Sequence, residues 1–334
     1  MKLIIDGYNK TLRKKDNQIV VMEKDNEIYR ISANKVSDIT IMAKGHITFD
    51  ALNLMAKNNI KLISINYFGQ INYILESPNQ NNIVLKKLQY QASENHKGLL
   101  ISKEFITSKM KNQKSTIKTL NKNKKIKEVK IIENKIKQNI KDFKNFKITL
   151  NDNIFTSKNK IMGFEGIASV NYWEAVSLLL PDEINFKKRN QKPENDVVNS
   201  MLNYGYAILA SEIAKNIVTL GLDPYCGLLH ADLKRRQSLI FDLIEEFRQQ
   251  IVDKTVFKLI NTNQINETNI DKRNNSLKLE SRKLLAGEIM AKIHSDLTFE
   301  NEKVTYAKII ENQTKKLVKS LLNNTEYNGF YLNW

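Results

Sequence analysis

The sequence predicts an α+β fold in which a small, mainly β domain precedes a larger all-α domain. Up to about residue 78, short β-rich runs alternate with turn residues, whereas the later segments show a period near 3.6 and contain almost no Pro or Gly. The chain has 334 residues, and domains of roughly 100 to 200 residues are usual, which favours two domains. We expect an N-terminal β domain at 1–78, a linker at 79–84 and a C-terminal helical domain at 85–334.

Six short apolar runs predict the strands of the first domain. They are separated by turn-forming stretches such as DGYN, EKDN and FGQ, and they read KLIID, QIVVM, EIYRIS, DITIM, KLISIN and INYIL. Between the fourth and fifth runs, HITFDALNLMAKNN carries Phe49, Leu52 and Met55 at helical spacing. That spacing predicts one helix that covers the sheet.

The residues that follow SPNQNN at 77–82 have helical periodicity. From Lys109 to Lys147 the chain is rich in lysine interleaved with isoleucine, which allows an amphipathic helix with a charged outer face, buried through Ile126, Ile132, Ile136 and Ile140. The lysines fit either a solvated surface or a strip that contacts DNA, and the pattern does not choose between them.

A loop at 183–196 and two helices that follow it are predicted next. The loop contains Pro193 and lacks apolar periodicity, so we expect it to be mobile and the next helix to start near Asn195 or Asp196 and run to about 220. A second amphipathic helix, LIFDLIEEFRQQIVDKTVFKLI, follows Ser238, which is a plausible N-cap.

The charge of the chain narrows the classes of partner. Its 53 Lys and Arg against 36 Asp and Glu give a formal charge of +17, which attracts nucleic acid, anionic lipid or acidic proteins alike. No run approaches the roughly 20 apolar residues of a membrane span, and MKLIID reaches Asp6 too early for a signal peptide, so we expect a soluble cytoplasmic protein with no membrane partner. Cys226 is the only cysteine, which excludes an internal disulfide and a cysteine-based zinc site.

Three side chains in two phrases form a candidate metal site. Glu165 lies between two glycines in MGFEG, and His230 and Glu245 lie in GLLHADLKRRQSLIFDLIEEFR. Asp242, Glu245 and Glu246 are three or four residues apart and share one surface of the predicted helix. Two carboxylates and one imidazole suit Mg²⁺ or Mn²⁺ with positions left open for a phosphate, and the metal would act on the phosphoryl oxygen as a Lewis acid.

The residues of this site also have ordinary structural interpretations. Glu165 fits the first turn of a helix, His230 fits a packed and hydrogen-bonded ring, and the acidic cluster fits ion pairs with Arg248. Four basic side chains beside the candidate metal site are candidates to hold flanking phosphates: Lys234, Arg235, Arg236 and Arg248.

Four phrases in the same order resemble the CRISPR-associated spacer-acquisition integrases, the Cas1 nucleases. They are MGFEG, NDVVNSMLNYGYAIL, GLLHADLKRRQSLIFDLIEEFR and VDKTVFKLIN, and with the alternating β start the likeness covers most of the chain. By motif position, the resemblance implies that Glu165, His230 and Glu245 bind the metal and that Asp242 assists. Gln249 departs from the pattern, because the family has proline after this FR; we expect it to loosen the helix end without touching the metal.

The resemblance also implies an architecture, partners and a reaction. These are a β-sandwich, a helical catalytic domain, a homodimer, a complex with the small Cas2 subunit, and attack by a 3′-hydroxyl of a short DNA duplex on a phosphodiester at the CRISPR repeat boundary. Hydrolytic DNA cleavage is the same displacement with water as the nucleophile. Two other functions fit the residues: a non-catalytic nucleic-acid-binding scaffold and a metal-dependent RNA nuclease.

Overall fold

A strand-rich N-terminal region and a helical C-terminal region make up the protein, as the sequence predicts. The computed structural model describes residues 1–65, 71–77, 82–149, 151–184, 186–190, 196–231, 236–271 and 276–332. One hydrophobic cluster draws on residues between Leu3 and Leu62, and a second, larger one on residues between Leu85 and Leu332. The exact domain boundary stays a prediction, because residues 78–81 lie outside the described residues.

The N-terminal region consists of two four-stranded sheets and one helix. The first sheet has the order β1–β5–β7–β8 and the second β4–β3–β2–β6. The strands are β1 (Lys2–Ile5), β2 (Lys10–Lys15), β3 (Gln18–Glu23), β4 (Asn26–Ser32), β5 (Asp38–Ile41), β6 (Gly45–Ile47), β7 (Lys61–Ile65) and β8 (Ile71–Leu75), and the helix is α1 (Phe49–Lys57). All six predicted runs form strands, and both sheets contribute side chains to one core.

Helix α1 forms where the sequence predicts it, and its first residue lies outside the core. Thr48 caps its N-terminus by accepting a hydrogen bond from the Ala51 amide at 3.2 Å. Ala51, Leu54 and Met55 face the core, whereas Phe49 is 85% exposed. Of the three apolar residues from which the helix is predicted, Met55 is buried in the core and Leu52 packs against it, whereas Phe49 at the first position of the helix does not.

The C-terminal region is predominantly helical. Its helices are α2 (Ile83–Ser93), α3 (His96–Lys124), α4 (Lys127–Asn145), α5 (Ile154–Leu179), α6 (Val197–Thr219), α7 (Ser238–Ile244), α8 (Lys254–Asn261), α9 (Leu279–His294) and α10 (Tyr306–Asn323). Two small hairpins, β9 (Ile270–Asp271) with β10 (Ser276–Leu277) and β11 (Asp296–Phe299) with β12 (Glu302–Thr305), interrupt them. The nearly all-helical prediction missed these hairpins. In the described part of the chain, no helix is long and apolar enough to cross a bilayer.

The lysine-rich segment forms parts of two helices instead of one. Helix α3 ends where Lys125 adopts a left-handed conformation with φ of 55°, and the Asn121 side chain bonds both the amide and the carbonyl of Ile126. Helix α4 then buries Ile132, Ile136 and Ile140, as the spacing predicts.

The predicted helix after Ser238 is interrupted. Ser238 does not cap α7; its hydroxyl donates to the Ala231 carbonyl at 2.9 Å. A π-helical turn, Gln249–Asp253, separates α7 from α8. By contrast, Asp196 caps α6 as predicted, accepting from the Asn199 amide at 2.8 Å. Asn195 and Pro193 lie outside the described residues.

The C-terminal segment 325–332 is fixed by the buried carboxylate of Glu246. This carboxylate accepts hydrogen bonds from the Tyr327 hydroxyl at 2.6 Å, the Phe330 amide at 2.7 Å and the Gln313 side chain at 2.9 Å. Burial raises the pKa of Glu246 from 4.5 to about 7, although the three donors act in the opposite direction. Glu246 is thus a structural residue. The acidic cluster of Asp242, Glu245 and Glu246 is buried and does not form a solvated surface.

We expect Glu246→Gln to weaken the dependence of stability on pH. A carboxyl whose pKa is raised on folding stabilises the native state fully below its unfolded pKa, and this contribution is lost as pH rises from about 4.5 to about 7. The loss amounts to at most about 3 kcal/mol. The check is the difference in melting temperature between pH 5 and pH 8, which should shrink in Glu246→Gln; an unchanged difference contradicts the assignment.

Candidate active site

One cavity of the helical region holds all three residues of the predicted metal site. Its volume is about 510 Å³. Besides Glu165, His230 and Glu245, several basic, amide and aromatic side chains line it: Lys109, Gln113, Ser169, Trp173, Arg189, Tyr206, Arg236, Phe241, Arg248 and Gln249. Helices α3, α5, α6 and α7 and the loops beside them supply these residues, so the cavity depends on packing between segments that are distant in sequence.

Glu165 lies in the middle of α5 and not in the first turn of a helix. Its Oε1 accepts a hydrogen bond from the Ser169 hydroxyl at 2.9 Å, one turn later, and pairs with the ammonium group of Lys109. A Cβ atom at Gly163 or Gly166 would meet nothing within 4 Å, so packing within the chain requires neither glycine. This segment of α5 therefore faces open space beside the carboxylate.

Glu245 follows the last residue of α7 and is only 4% exposed. Its Oε2 lies 2.7 Å from the Lys109 Nζ, and its Oε1 lies 3.2 Å from a guanidinium nitrogen of Arg248. Burial alone would raise the pKa of Glu245, but the charges of Arg248 and Lys109 outweigh it and hold the pKa below 4.5. Glu245 is therefore ionised at neutral pH.

His230 is positioned by Asp242, which is fully buried. One carboxylate oxygen of Asp242 accepts from the amides of Leu228 at 2.6 Å and Leu229 at 3.0 Å. The other accepts from the amide of His230 at 3.1 Å and lies 2.6 Å from its ring Nδ1. Because a carboxylate only accepts, Nδ1 carries the hydrogen, and Nε2 of the neutral ring is left for a ligand.

Gly227 allows the loop before His230 to approach α7. A Cβ atom at this position would lie 2.7 Å from the Ser238 Cβ and 2.8 Å from the His230 carbonyl oxygen. Such contacts are closer than van der Waals packing permits, so only glycine fits. The backbone amides that bind Asp242 depend on this close approach.

The predicted phosphate-binding side chains have different environments. Arg236 lines the cavity, and its guanidinium lies 5.1 Å from the centre of the Phe241 ring. Arg248 also lines it, but it pairs with Glu245 and lies 4.5 Å from the centre of the Tyr206 ring, so it is already engaged within the protein. Lys234 and Arg235 lie outside the described residues. The role of these residues in binding DNA stays a prediction.

The buried carboxylate of Asp253 accepts hydrogen bonds from two tyrosines, one of which, Tyr206, lines the cavity. The hydroxyls of Tyr172 and Tyr206 donate to the two oxygens of Asp253 at 2.7 and 2.6 Å. Asp253 is the last residue of the π-helical turn that begins at Gln249.

Gln249, at the position where the family pattern has proline, lines the cavity itself. The sequence predicts one regular helix through this segment, which the π-helical turn interrupts, and the expectation that Gln249 does not touch the metal stays a prediction.

Lys109 is the functional candidate that sequence reasoning missed. Its ammonium group lies between Glu165 and Glu245, and the residue is 8% exposed. The available signal was the stretch TSKMKNQKST, in which polar residues continue through every face of a long helix. A helix with a polar residue on its buried face needs partners there, and the carboxylates are those partners.

The cavity contains the types of side chain that a hard divalent cation prefers as ligands. Two carboxylates converge on one cationic group, and an imidazole with a free Nε2 lines the same cavity. In the part of the chain that the structure describes, no three acidic, histidine or cysteine side chains are close enough together to hold a metal ion. The ammonium of Lys109 occupies the space between the two carboxylates.

Solved structures with the same fold include a casposase and a Cas1-containing complex. A casposase bound to its integration product superposes with a TM-score of 0.76 at 24% sequence identity, covering 98% of this chain and 97% of that one. A partial Cas6-RT-Cas1–Cas2 complex gives a TM-score of 0.75 at 20% identity, covering 100% of this chain and 99% of that one. At these identities, the likeness establishes the fold.

Sequence relatives establish the family. The profile described as "CRISPR associated protein Cas1" matches residues 3–289. CRISPR-associated protein Cas1 3 of Methanobrevibacter ruminantium is 55% identical over 334 residues, covering 100% of both chains. CRISPR-associated endonuclease Cas1 1 of Archaeoglobus fulgidus is 32% identical over 348 residues, again covering 100% of both. The chain belongs to the Cas1 family of CRISPR-associated proteins.

Proposed function

We propose that this protein is a metal-dependent DNA integrase and endonuclease that inserts short DNA duplexes into a CRISPR array. The observation that carries the proposal is the pair of carboxylates, Glu165 and Glu245, that converge on one cation in a cavity also lined by His230. Membership of the Cas1 family and the casposase fold agree with this chemistry. The charge of +17 favours a polyanionic substrate.

In the proposed reaction, a 3′-hydroxyl of the incoming duplex attacks a phosphodiester of the array. The attacking hydroxyl gives up its proton as the new phosphorus–oxygen bond forms, the bond to the 3′-oxygen of the array strand breaks, and that oxygen takes up a proton and leaves as a 3′-hydroxyl. Glu165, Glu245 and Nε2 of His230 would hold Mg²⁺ or Mn²⁺, which when bound supplies Lewis acidity at the phosphoryl oxygen. Water as the nucleophile gives hydrolytic cleavage by the same displacement.

The side chains around these ligands position them. The Ser169 hydroxyl donates to Glu165, Asp242 fixes the ring of His230, and Arg248 pairs with Glu245. Arg236 at the cavity wall is suited to a phosphate oxygen, since a guanidinium binds phosphate through two parallel hydrogen bonds. Such preorganisation reduces the rearrangement that is needed when charge develops on the phosphate.

The assembly proposed for the protein follows its relatives. A solved complex named Cas6-RT-Cas1–Cas2 has the same fold over the whole of this chain, and we propose Cas2 and double-stranded DNA as partners. A homodimer, a β-sandwich arrangement of the two N-terminal sheets and a cytoplasmic location belong to the same proposal.

The test is strand transfer by the purified protein and its Cas2 partner. We expect branched products from a short repeat array and a 3′-hydroxyl DNA duplex in Mn²⁺ or Mg²⁺, none with EDTA, and none with Glu165→Ala. Products that persist in EDTA contradict a metal-dependent enzyme. Salt-sensitive DNA binding without products favours the scaffold, and preferential cleavage of an RNA substrate in Mn²⁺ favours an RNA nuclease.

A further inference from the structure

We infer that Lys109 is a built-in counter-ion of the Glu165–Glu245 pair, which exchanges with the divalent cation and moves into the cavity when the metal binds. The inference rests on the proposed function, because it assigns to Lys109 a role at the same site. It makes Lys109 a positioning residue that sets the metal affinity and holds the two carboxylates together in the metal-free protein.

The geometry places the ammonium group where both carboxylates meet. Lys109 Nζ pairs with Oε1 of Glu165 and lies 2.7 Å from Oε2 of Glu245. These carboxylates come from α5 and from the end of α7, and Lys109 from α3, so the ammonium joins three segments. Arg248 approaches Glu245 through the other oxygen, Oε1, at 3.2 Å and leaves this arrangement undisturbed.

The metal-free protein needs a cation at this point. Glu245 is 4% exposed, and a buried carboxylate beside a second one is destabilised unless a positive charge compensates both. A divalent cation that bound the same two oxygens would repel the ammonium at that distance, since like charges in a largely buried site interact strongly. The two cations therefore exclude each other, and metal binding must break the ion pairs of Lys109.

Two buried acceptors in the same cavity have no hydrogen-bond donor among the described residues and can receive the displaced ammonium. Gln113 follows Lys109 by one helical turn on α3, is 1% exposed and leaves its Oε1 without a hydrogen-bond donor. Oε1 of Gln249, a residue 2% exposed that lines the same cavity, also lacks a donor. Buried carbonyl oxygens normally have donors, and side chains four residues apart on a helix are neighbours, so the Lys109 ammonium can turn toward Gln113.

The exchange has a consequence for the substrate. In the metal-free state, the charges of Lys109 and the two carboxylates sum to −1, whereas a divalent cation brings the sum to +1 and frees the ammonium to face the cavity. The positive potential of the cavity therefore rises on metal binding, which favours a phosphate ligand after the metal. The order of binding, metal before nucleic acid, follows from this change of charge.

Mn²⁺ binding to the protein without DNA tests the exchange. We expect Lys109→Met to bind Mn²⁺ about tenfold more tightly than the wild type at pH 8, because the ion no longer breaks charge-assisted hydrogen bonds. Its melting temperature without metal should fall, and the rise caused by Mn²⁺ should exceed that of the wild type. Lys109→Arg should bind Mn²⁺ more weakly than the wild type, because a guanidinium grips two carboxylates through more donors.

A matched control and a second variant keep the outcomes distinct. Lys111→Met removes a lysine of the same helix whose ammonium lies 3.5 Å from the centre of the Tyr331 ring, and it should leave Mn²⁺ affinity unchanged. Unchanged or weaker affinity in Lys109→Met overturns the exchange while the proposed function stands. If Lys109→Met does not fold without metal, an affinity of Lys109→Arg at or above the wild-type value overturns it. Absence of Mn²⁺ binding in the wild type and both variants overturns the proposed metal-dependent function together with the exchange.

Discussion

Replacing His230 with alanine is expected to lower strand transfer by about 10³-fold or more and to leave the fold intact, since loss of a metal ligand removes about 4 kcal/mol of transition-state stabilisation. The ring is 24% exposed, and its described contacts are the Asp242 carboxylate and the Phe241 ring, whose centroid is 6.5 Å away. Little packing depends on it. The change should therefore separate chemistry from folding.

The measurement is the yield of branched product, with Mn²⁺ affinity recorded on the same preparations. His46→Ala is the matched control, because His46 is exposed on β6 in the N-terminal region. We expect the control to retain wild-type yield. Retained integration by His230→Ala at wild-type Mn²⁺ affinity would show that the imidazole is not a ligand, and the carboxylates would then need another partner.

Local periodicity predicts the main elements of the fold and fails where a residue's partner is distant in sequence. The six strand runs, the capping of α6 by Asp196 and the buried face of α4 follow from alternation, side-chain chemistry and a period of 3.6. Strand β2 was missed because its sequence, KTLRKK, carries one buried apolar residue, Leu12, among charges that face outward. Its pairing with β3 and β6 supplies the hydrogen bonds that hold it in the sheet.

The acidic cluster in and directly after α7 shows the same limit of sequence-based prediction at the site. Spacing places Asp242, Glu245 and Glu246 on one surface, but it does not show that each is buried against a different partner. Asp242 binds the 228–230 loop, Glu245 binds Lys109 and Arg248, and Glu246 binds the C-terminal segment. The resemblance to a known family indicates which carboxylate to propose as a ligand. It gives no information on Lys109, whose role is visible only once α3 lies against α5 and α7.

The largest loss of stability among these residues is expected for Asp242→Ala. The carboxylate is fully buried and accepts from three backbone amides and one imidazole nitrogen. Its removal leaves these donors without partners in a loop that Gly227 brings within van der Waals distance of α7. We expect the free energy of unfolding to fall by about 3 to 5 kcal/mol.

The Asp242→Asn variant separates the effect of the side chain's shape from the effect of its negative charge. The amide keeps the volume of the carboxylate but turns an NH₂ group toward at least one pair of N–H donors, so it should restore only part of the lost stability. It also removes the negative charge of the acceptor that fixes the hydrogen on Nδ1 of His230, and Mn²⁺ affinity should fall by about 10- to 100-fold even where the protein is folded. Urea unfolding followed by circular dichroism at 222 nm, with exposed Asp182→Ala as control, measures the first effect. A stable Asp242→Ala protein with wild-type Mn²⁺ affinity would mean that the loop and the imidazole are held by other contacts, and the assignment of His230 as a positioned ligand would then be wrong.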